Sequence, residues 1–393
     1  MPGSLILDLF LLLLLVGAFI RGYRSGLLAS LAAIAGIAVG GIAAYLIVPF
    51  VGSWVPDPQW RTAASLGAAL LLVLVGLSIG ESIGARIRRG TRRSKLRFID
   101  RSLGAVATTV VSALVISLLA ISIGAVGVPF LAPAISSSGV VRTIDNLTPN
   151  PVQAFLAQLR ASAIQDGLPR VIEAFTGTPP EVPDVNTETP ALAAAAHSVA
   201  RITGNAYACG QNQSGSGFVV APNRIVTNAH VVAGVTEPIV QLPDGNAYPG
   251  HVVYFDPVDD LAVISVSGVT ALPLGLTSNL AAGSKAVSNG YPFGGPFHTR
   301  PAEIISVGTV GVADIYGGNP SPRQIYTLAA DVQHGESGGP LLTEAGQVAG
   351  VIFAKSEGTS NVGYALAMEE VQPVADQAES LREPVSSGSC VQG

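Results

Sequence analysis

The chain has 393 residues, of which 49% are hydrophobic and only 12% charged. Its first 132 residues hold 11 of the 21 basic residues but only four of the 26 acidic ones. This composition excludes an ordinary soluble globular protein and predicts membrane segments in the first part of the chain. Because the acidic remainder carries no basic stripe, nucleic-acid binding is not expected either.

Four long apolar runs predict a transmembrane domain of four helices within residues 1–132. A bilayer core needs about 20 apolar residues in a helix, and the last three runs meet that length. The first run is shorter and begins near Asp8. It lacks a basic leading region and a second run follows at once, so we interpret it as an uncleaved span rather than a signal peptide. The runs cover about residues 5–20, 26–50, 63–83 and 103–131.

Gly36 and Gly40 place two small residues one helical turn apart in the second run. Such a pair allows two helices to approach closely in lipid. In an alanine-rich helix the same spacing also arises by chance, so both interpretations stay open.

The charged loops predict the orientation in the membrane. The segments Arg21–Arg24 and Ala85–Arg97 are strongly basic, whereas Val51–Trp60 has no lysine or arginine. The positive-inside rule places the two basic loops in the cytoplasm, and everything after Leu131 then lies outside. This region resembles the colicin V production family of membrane proteins. The resemblance rests on its hydropathy and on the stretch "DLFLLLLLVGAFIRGYRSGLL".

Residues 133–196 are expected to connect this domain to the rest of the chain. Apolar residues recur at helical spacing over Asn150–Phe175, which predicts one or two amphipathic helices. The proline-rich stretch Thr176–Pro190 predicts an exposed linker, open to proteolytic nicking.

From residue 197 to 393 the pattern changes to short β-rich runs separated by glycine, proline, asparagine and aspartate. This pattern is typical of an all-β sandwich or barrel. Asp244–Gly245 is a strong signal for a hairpin turn.

Three motifs in this half carry candidate chemistry. "HGESGGPL" presents Ser337 between glycines, "IVTNAHVV" places His230 at the end of an apolar run, and "DPVDDLAVISV" places Asp259 and Asp260 before a strand. Each motif alone has a plain structural explanation, such as a tight glycine turn. Together they supply a nucleophile, a base and a carboxylate that orients the base, which Ser-His-Asp catalysis requires.

The segments "TNAH", "DLAV" and "GESGGP" resemble the three active-site motifs of the trypsin-like serine proteases. The run "GSGFVV" followed by "IVTNAHVV" is similar to the HtrA branch. The resemblance implies a chymotrypsin-like fold of two six-stranded β-barrels with the site between them. It also implies His230 as general base, Asp260 as its orienting acid and Ser337 as nucleophile, with Asp259 the alternative acid. The N–H groups of Gly335 and Ser337 would form the oxyanion hole.

The same resemblance points to a specificity pocket. Asp331 stands where trypsin-like enzymes carry an acid that selects basic residues, and Phe353 would line the same pocket. A shift of one residue in that loop would move Asp331 elsewhere. His197, His251 and His298 lack ligand spacing, so no metal is expected, and no cofactor is predicted.

Cys209 and Cys390 are the only cysteines, and both lie in the half predicted to be outside the cytoplasm. In that compartment they would form a disulfide, the alternative being two buried thiols.

The whole arrangement resembles the membrane-anchored acid-resistance serine proteases of mycobacteria. That resemblance implies a multi-pass protein of the cell membrane whose endopeptidase domain faces the periplasm. It further implies the Cys209–Cys390 bond, a role in acid and oxidative stress, and peptide or protein substrates such as cell-wall enzymes. Two alternatives are a membrane scaffold or transporter with an inactive protease-like sensor domain, and a serine hydrolase that does not cleave peptides.

Overall fold

The computed structural model describes residues 2–54, 58–90, 97–125, 134–135, 138–149, 151–153, 156, 177–206, 211–356 and 358–391. The chain divides into two compact units. One comprises residues 1–119 together with Ser138–Thr148, and the other contains both β-sheets.

The first unit is helical, as the apolar runs predict. Within the described residues, three helical stretches are long and apolar enough to cross a bilayer: Leu5–Ser25, Leu27–Ala44 and Phe98–Ser117. The third predicted span lies inside a helix as well, and its crossing of the membrane stays a prediction. The helices are α1 (Pro2–Ser25), α2 (Leu27–Trp54), α3 (Pro58–Gly90), α4 (Arg97–Ala125) and α5 (Gly139–Leu147).

Asp8, the acid in the first apolar run, caps the start of α5. Its carboxylate accepts hydrogen bonds from the backbone N–H of Gly139 at 3.1 Å and of Val140 at 3.3 Å, and from the Ser138 hydroxyl. A carboxylate at this position satisfies amides that have no partner within the helix. Helix α5 falls in the predicted connecting segment, whereas most of the predicted helices over Asn150–Phe175 lie outside the described residues.

Glycines allow α2 and α3 to pack with their backbones in contact. A Cβ atom on Gly36 would strike the backbone of Gly76, and one on Gly40 would strike the backbone of Leu72. The close-packing interpretation of Gly36 and Gly40 is therefore confirmed.

The second unit contains two antiparallel sheets, as expected for a chymotrypsin-like fold. The first sheet has the strand order β5-β4-β1-β2-β3-β7-β6, and the second is a closed barrel of order β10-β13-β12-β11-β8-β9. The first sheet consists of β1 (Val199–Ala206), β2 (Gln211–Ala221), β3 (Arg224–Thr227), β4 (Ile239–Gln241), β5 (Ala247–Pro249), β6 (His251–Asp256) and β7 (Leu261–Ser265). The barrel consists of β8 (Lys285–Gly290), β9 (His298–Val312), β10 (Ser321–Ala329), β11 (Pro340–Leu342), β12 (Val348–Lys355) and β13 (Val362–Leu366).

The first sheet has seven strands, so the expectation of six is wrong for this half. The additional strand belongs to the β4–β5 hairpin at the edge of the sheet. Its turn is the one predicted at Asp244–Gly245: Gly245 has a φ of 81°, and the Asp244 carboxylate accepts from the Asn246 amide at 2.8 Å. Pro249 is tolerated in β5 because an edge strand needs fewer backbone donors.

A shared core joins the two sheets. Phe218 and Leu261 of the first sheet belong to the same buried cluster as Phe353 and Leu366 of the barrel. Each of these side chains is fully buried. The interface between the two sheets is therefore tightly packed. It fixes the relative positions of residues that the two sheets contribute to the same region.

The proline-rich segment predicted as an exposed linker is instead attached to the barrel. Val185 is buried in the shared core, and the carbonyl of Asp184 accepts from Lys285 Nζ at 2.7 Å. Asn361 Nδ2 donates to the Pro180 carbonyl at 3.3 Å. Most described residues of the segment are exposed or half-buried, as expected of a linker, whereas Val185 attaches it to the core. A helix, α6 (Pro190–Ala196), then leads into β1.

The C-terminal tail returns from the barrel to the first sheet. After helix α8 (Met368–Gln377), the Leu381 carbonyl accepts from Arg224 Nε at 2.9 Å, and the Val385 amide donates to the Val252 carbonyl at 2.8 Å. Ser387 donates from its hydroxyl to the Val235 carbonyl at 2.8 Å. The tail thus completes the packing of the first sheet.

The glycine contacts predict a position-specific effect in the helical unit. Replacing Gly36 by leucine should destabilise this unit by about 1–3 kcal/mol or more, because the side chain cannot fit against the α3 backbone. Gly41 is the matched control, because nothing lies within 4 Å of the Cβ that would be added there. Thermal unfolding of the full chain in detergent measures both variants. Equal midpoints for Gly36→Leu and Gly41→Leu would contradict the packing described.

Candidate active site

His230 and Asp260 form a buried, hydrogen-bonded pair in the first sheet. His230 lies on the short helix α7 (Ala229–Val232), and its Nδ1 is 2.8 Å from Asp260 Oδ2 and 3.0 Å from Oδ1. The backbone N–H of His230 also donates to Asp260 Oδ1 at 2.9 Å. A carboxylate can only accept from Nδ1, so the proton belongs on Nδ1 and leaves Nε2 of the neutral ring as an acceptor.

The structure distinguishes the two candidate acids. Asp260 is 1% exposed and faces His230, with a φ of 56° that turns its side chain inward just before β7. Asp259 bonds through its backbone N–H to Asp256 Oδ1 at 3.0 Å. Burial, together with the charges of Asp256 and Glu370, raises the pKa of Asp259. Of the two candidate acids, Asp260 is the one that contacts His230.

Asn228 also supports the His230–Asp260 pair, through a contact that the sequence motif does not indicate. Its Nδ2 donates to the backbone carbonyl of Asp260 at 2.8 Å. This bond fixes the backbone of a residue held in the left-handed region, where a non-glycine residue is strained. The signal was the asparagine of "TNAH", but its partner lies 32 residues further along the chain.

Ser337 lies in the loop between β10 and β11, flanked by glycines that the backbone requires. Gly335 has a φ of 89° and Gly338 a φ of 82°. Among the described residues, neither the Gly335 nor the Ser337 amide donates a hydrogen bond, so both N–H groups are available to a ligand. The Ser337 hydroxyl donates to the Phe353 carbonyl at 3.4 Å rather than to His230.

The nucleophile loop approaches the segment that leads to His230 very closely. A Cβ on Gly338 would meet the backbone carbonyl of Ser216, the Thr227 hydroxyl and the Asn228 amide. No side chain fits there, so the second glycine of the motif brings the two segments together.

Glu336, immediately before Ser337, is fully buried and ion-paired. Its Oε1 is 3.1 Å from Arg300 Nε, and its Oε2 accepts from the Gln333 amide at 2.6 Å. Burial raises the pKa of Glu336 to about 7, although Arg300 opposes the shift. Neither member of this pair was identified from the sequence, because Arg300 is on β9 and stands in no motif.

The two residues assigned to a specificity pocket are placed differently from expectation. The side chain of Asp331 is about half exposed, and its Oδ2 is 2.6 Å from Arg300 Nη1. Gln333 also donates to Asp331. The Phe353 side chain is fully buried in the shared core, so only its backbone carbonyl faces the site. A preference for basic residues therefore stays a prediction that requires Arg300 to release Asp331.

Cys390 is disulfide-bonded, whereas Cys209 lies outside the described residues. The described residues contain no cluster of three or more histidine, cysteine or acidic side chains suited to hold a metal ion.

The raised pKa of Glu336 predicts a pH dependence of stability. Between pH 4.5 and 7 the folded state binds more protons than the unfolded state, so the free energy of unfolding falls as the pH rises, by about 3 kcal/mol for this group. Glu336→Gln mimics the protonated form and should remove this contribution. The measurement is urea unfolding of the full chain in detergent at pH 5 and pH 7. Glu344→Gln, an exposed acid, is the control; if all three proteins respond alike, Glu336 is not the group responsible.

Comparisons with known proteins extend over both units. Residues 215–351 match the family model of the trypsin-like peptidase domain, and residues 7–149 match that of colicin V production protein. The serine protease Rv3671c of Mycobacterium tuberculosis is 34% identical over 403 residues, covering 100% of both chains. The putative serine protease HhoA of Synechocystis is 36% identical over 183 residues, covering 45% of this chain and 44% of its own.

A solved structure supports the same relationship. The crystal structure of the Rv3671c protease from M. tuberculosis in its active form superposes with a TM-score of 0.53 at 35% identity, covering 57% of this chain and all of that one. The sheets, the His230–Asp260 pair and the serine loop agree with this similarity. The chain therefore belongs to the trypsin-like serine proteases that carry an N-terminal colicin V production domain.

Proposed function

We propose that the protein is a membrane-anchored serine endopeptidase in which Ser337, His230 and Asp260 form the catalytic triad. The observation that carries this proposal is the buried His230–Asp260 pair, which leaves Nε2 as a proton acceptor on the side of the ring opposite Asp260. The nucleophile loop packs against the backbone just before this histidine.

The reaction proceeds through an acyl-enzyme. Ser337 Oγ attacks the peptide carbonyl while its proton passes to His230 Nε2, and Asp260 stabilises the imidazolium that forms. The free N–H groups of Gly335 and Ser337 bind the developing oxyanion, each donor contributing about 3–4 kcal/mol. His230 then returns the proton to the leaving amine. Water, activated by the same base, releases the acyl group.

The first step requires the Ser337 side chain to rotate. Its hydroxyl is bonded to the Phe353 carbonyl at 3.4 Å, a long hydrogen bond that is easily broken. Rotation about Cα–Cβ between staggered positions turns Oγ toward the imidazole without moving the backbone.

We place the protease unit on the extracytoplasmic side, since the basic loops Arg21–Arg24 and Ala85–Arg97 favour the cytoplasm. The disulfide-bonded state of Cys390 supports a bond to Cys209, the only other cysteine of the chain. Such a bond fits an oxidising compartment.

A role in acid and oxidative stress, with peptide or cell-wall protein substrates, is a further part of the proposal and rests on the resemblance to the mycobacterial proteases. The buried Glu336 supports the acid part, because a pKa of about 7 makes its contribution to stability more favourable as the pH falls.

The decisive experiment labels the purified full chain with a fluorophosphonate and analyses the unreduced protein by mass spectrometry. We expect label on Ser337, a Cys209–Cys390 cross-link, and loss of label and of casein hydrolysis in Ser337→Ala. An active Ser337→Ala variant would refute the triad. A wild type that resists label and leaves casein intact would favour the scaffold or transporter with an inactive domain.

The two aspartates give a second, finer prediction. Asp260→Asn should lower kcat by about 10⁴-fold, because the amide cannot hold the histidine tautomer. Asp259→Asn is the matched control and should stay within about threefold of the wild type, because its contacts lie with Asp256. Steady-state hydrolysis of casein decides between them, and a larger loss in Asp259→Asn would reverse the assignment.

A further inference from the structure

Ser216 on β2 is a fully buried residue whose backbone groups and hydroxyl are all hydrogen-bonded to segments around the site. Its backbone N–H donates to the Ser337 carbonyl at 2.7 Å, and its hydroxyl donates to the Gly335 carbonyl at 2.7 Å. It thus holds the carbonyls of both residues whose N–H groups are proposed to bind the oxyanion.

The hydroxyl is the part of Ser216 that an apolar side chain could not replace. The hydrogen bond to the Gly335 carbonyl fixes the peptide plane between Gly335 and Glu336. The hydrogen bond to the Ser337 carbonyl fixes the peptide plane between Ser337 and Gly338. The φ of 89° at Gly335 belongs to a backbone region that only glycine enters freely, so this segment has many alternative conformations. A donor from the opposite sheet selects one of them.

The remaining bonds of Ser216 connect this loop to the histidine side of the site. The Thr227 hydroxyl, three residues before His230, donates to the Ser216 carbonyl at 2.7 Å. The Tyr291 amide donates to the Ser216 hydroxyl at 2.9 Å, so this oxygen both donates and accepts. An alanine at this position would leave the Gly335 carbonyl and the Tyr291 amide without these partners in the interior.

We propose that Ser216 is a positioning residue for the reaction: its hydroxyl holds the Gly335–Glu336 peptide, which lies between the two peptides that carry the oxyanion donors, and so limits how those N–H groups can turn. The inference rests on the proposed function, because it assumes that Gly335 and Ser337 stabilise the transition state. It adds a residue in a different sheet, 121 positions before the nucleophile by chain numbering. Ser216 itself touches no reacting atom.

The test compares Ser216→Ala with Ser288→Ala in the full-length protein. Ser288 is 1% exposed, and its hydroxyl has no hydrogen-bond partner among the described residues, so it controls for loss of a buried serine. With p-nitrophenyl acetate as substrate, we expect Ser216→Ala to lower kcat about tenfold or more and to leave KM within about twofold. Affinity for phenylboronic acid, which forms a tetrahedral adduct with the serine, should fall with kcat/KM.

A third variant separates positioning from packing. Ser216→Cys fills the space that alanine leaves empty but offers only a weak donor, so it should lose kcat nearly as Ser216→Ala does. Full kcat in Ser216→Cys, or equal kcat in Ser216→Ala and Ser288→Ala, would overturn the proposal. An active Ser337→Ala variant would instead refute the proposed function, so the two failures are distinguishable.

Discussion

The close approach of the two sheets at Gly338 is the constraint on which the rest of the site depends. A side chain there would collide with Ser216, Thr227 and Asn228, so the barrel can present its nucleophile loop to the histidine only through a bare backbone. The shared core of Phe218 and Leu261 with Phe353 and Leu366 keeps the sheets at this separation. The packing of apolar side chains thus sets the distance between the two sheets, and hydrogen bonds form across it.

Two buried acids flank this approach, and they are compensated in different ways. Asp260 accepts two hydrogen bonds from His230, one from the ring nitrogen Nδ1 and one from the backbone N–H. Glu336 is paired with the guanidinium of Arg300 and accepts a hydrogen bond from one backbone amide, and burial nevertheless raises its pKa to about 7. Asp260 orients His230. Glu336 lies in the loop of Ser337, and its contribution to stability becomes more favourable as the pH falls.

Features written in short stretches of sequence could be predicted. The Asp244–Gly245 turn depends on two neighbouring residues, and the Gly36–Gly40 pair offered close packing as one of two interpretations. Features that join distant segments could not: nothing local pairs Arg300 with Glu336, and no pattern shows that Val185 inserts into a core formed by two sheets. The seventh strand was missed for a related reason, because β5 is only three residues long and pairs along one edge.

The C-terminal tail has a consequence for the histidine side of the site. Val391, near the end of the chain, packs against Ala229 and Ala233, the residues that flank His230 on its helix and just beyond it. The segment that follows the barrel therefore supports the helix of His230. A proteolytic cut between Leu381 and Val391 would loosen that support although it removes no residue of the proposed triad.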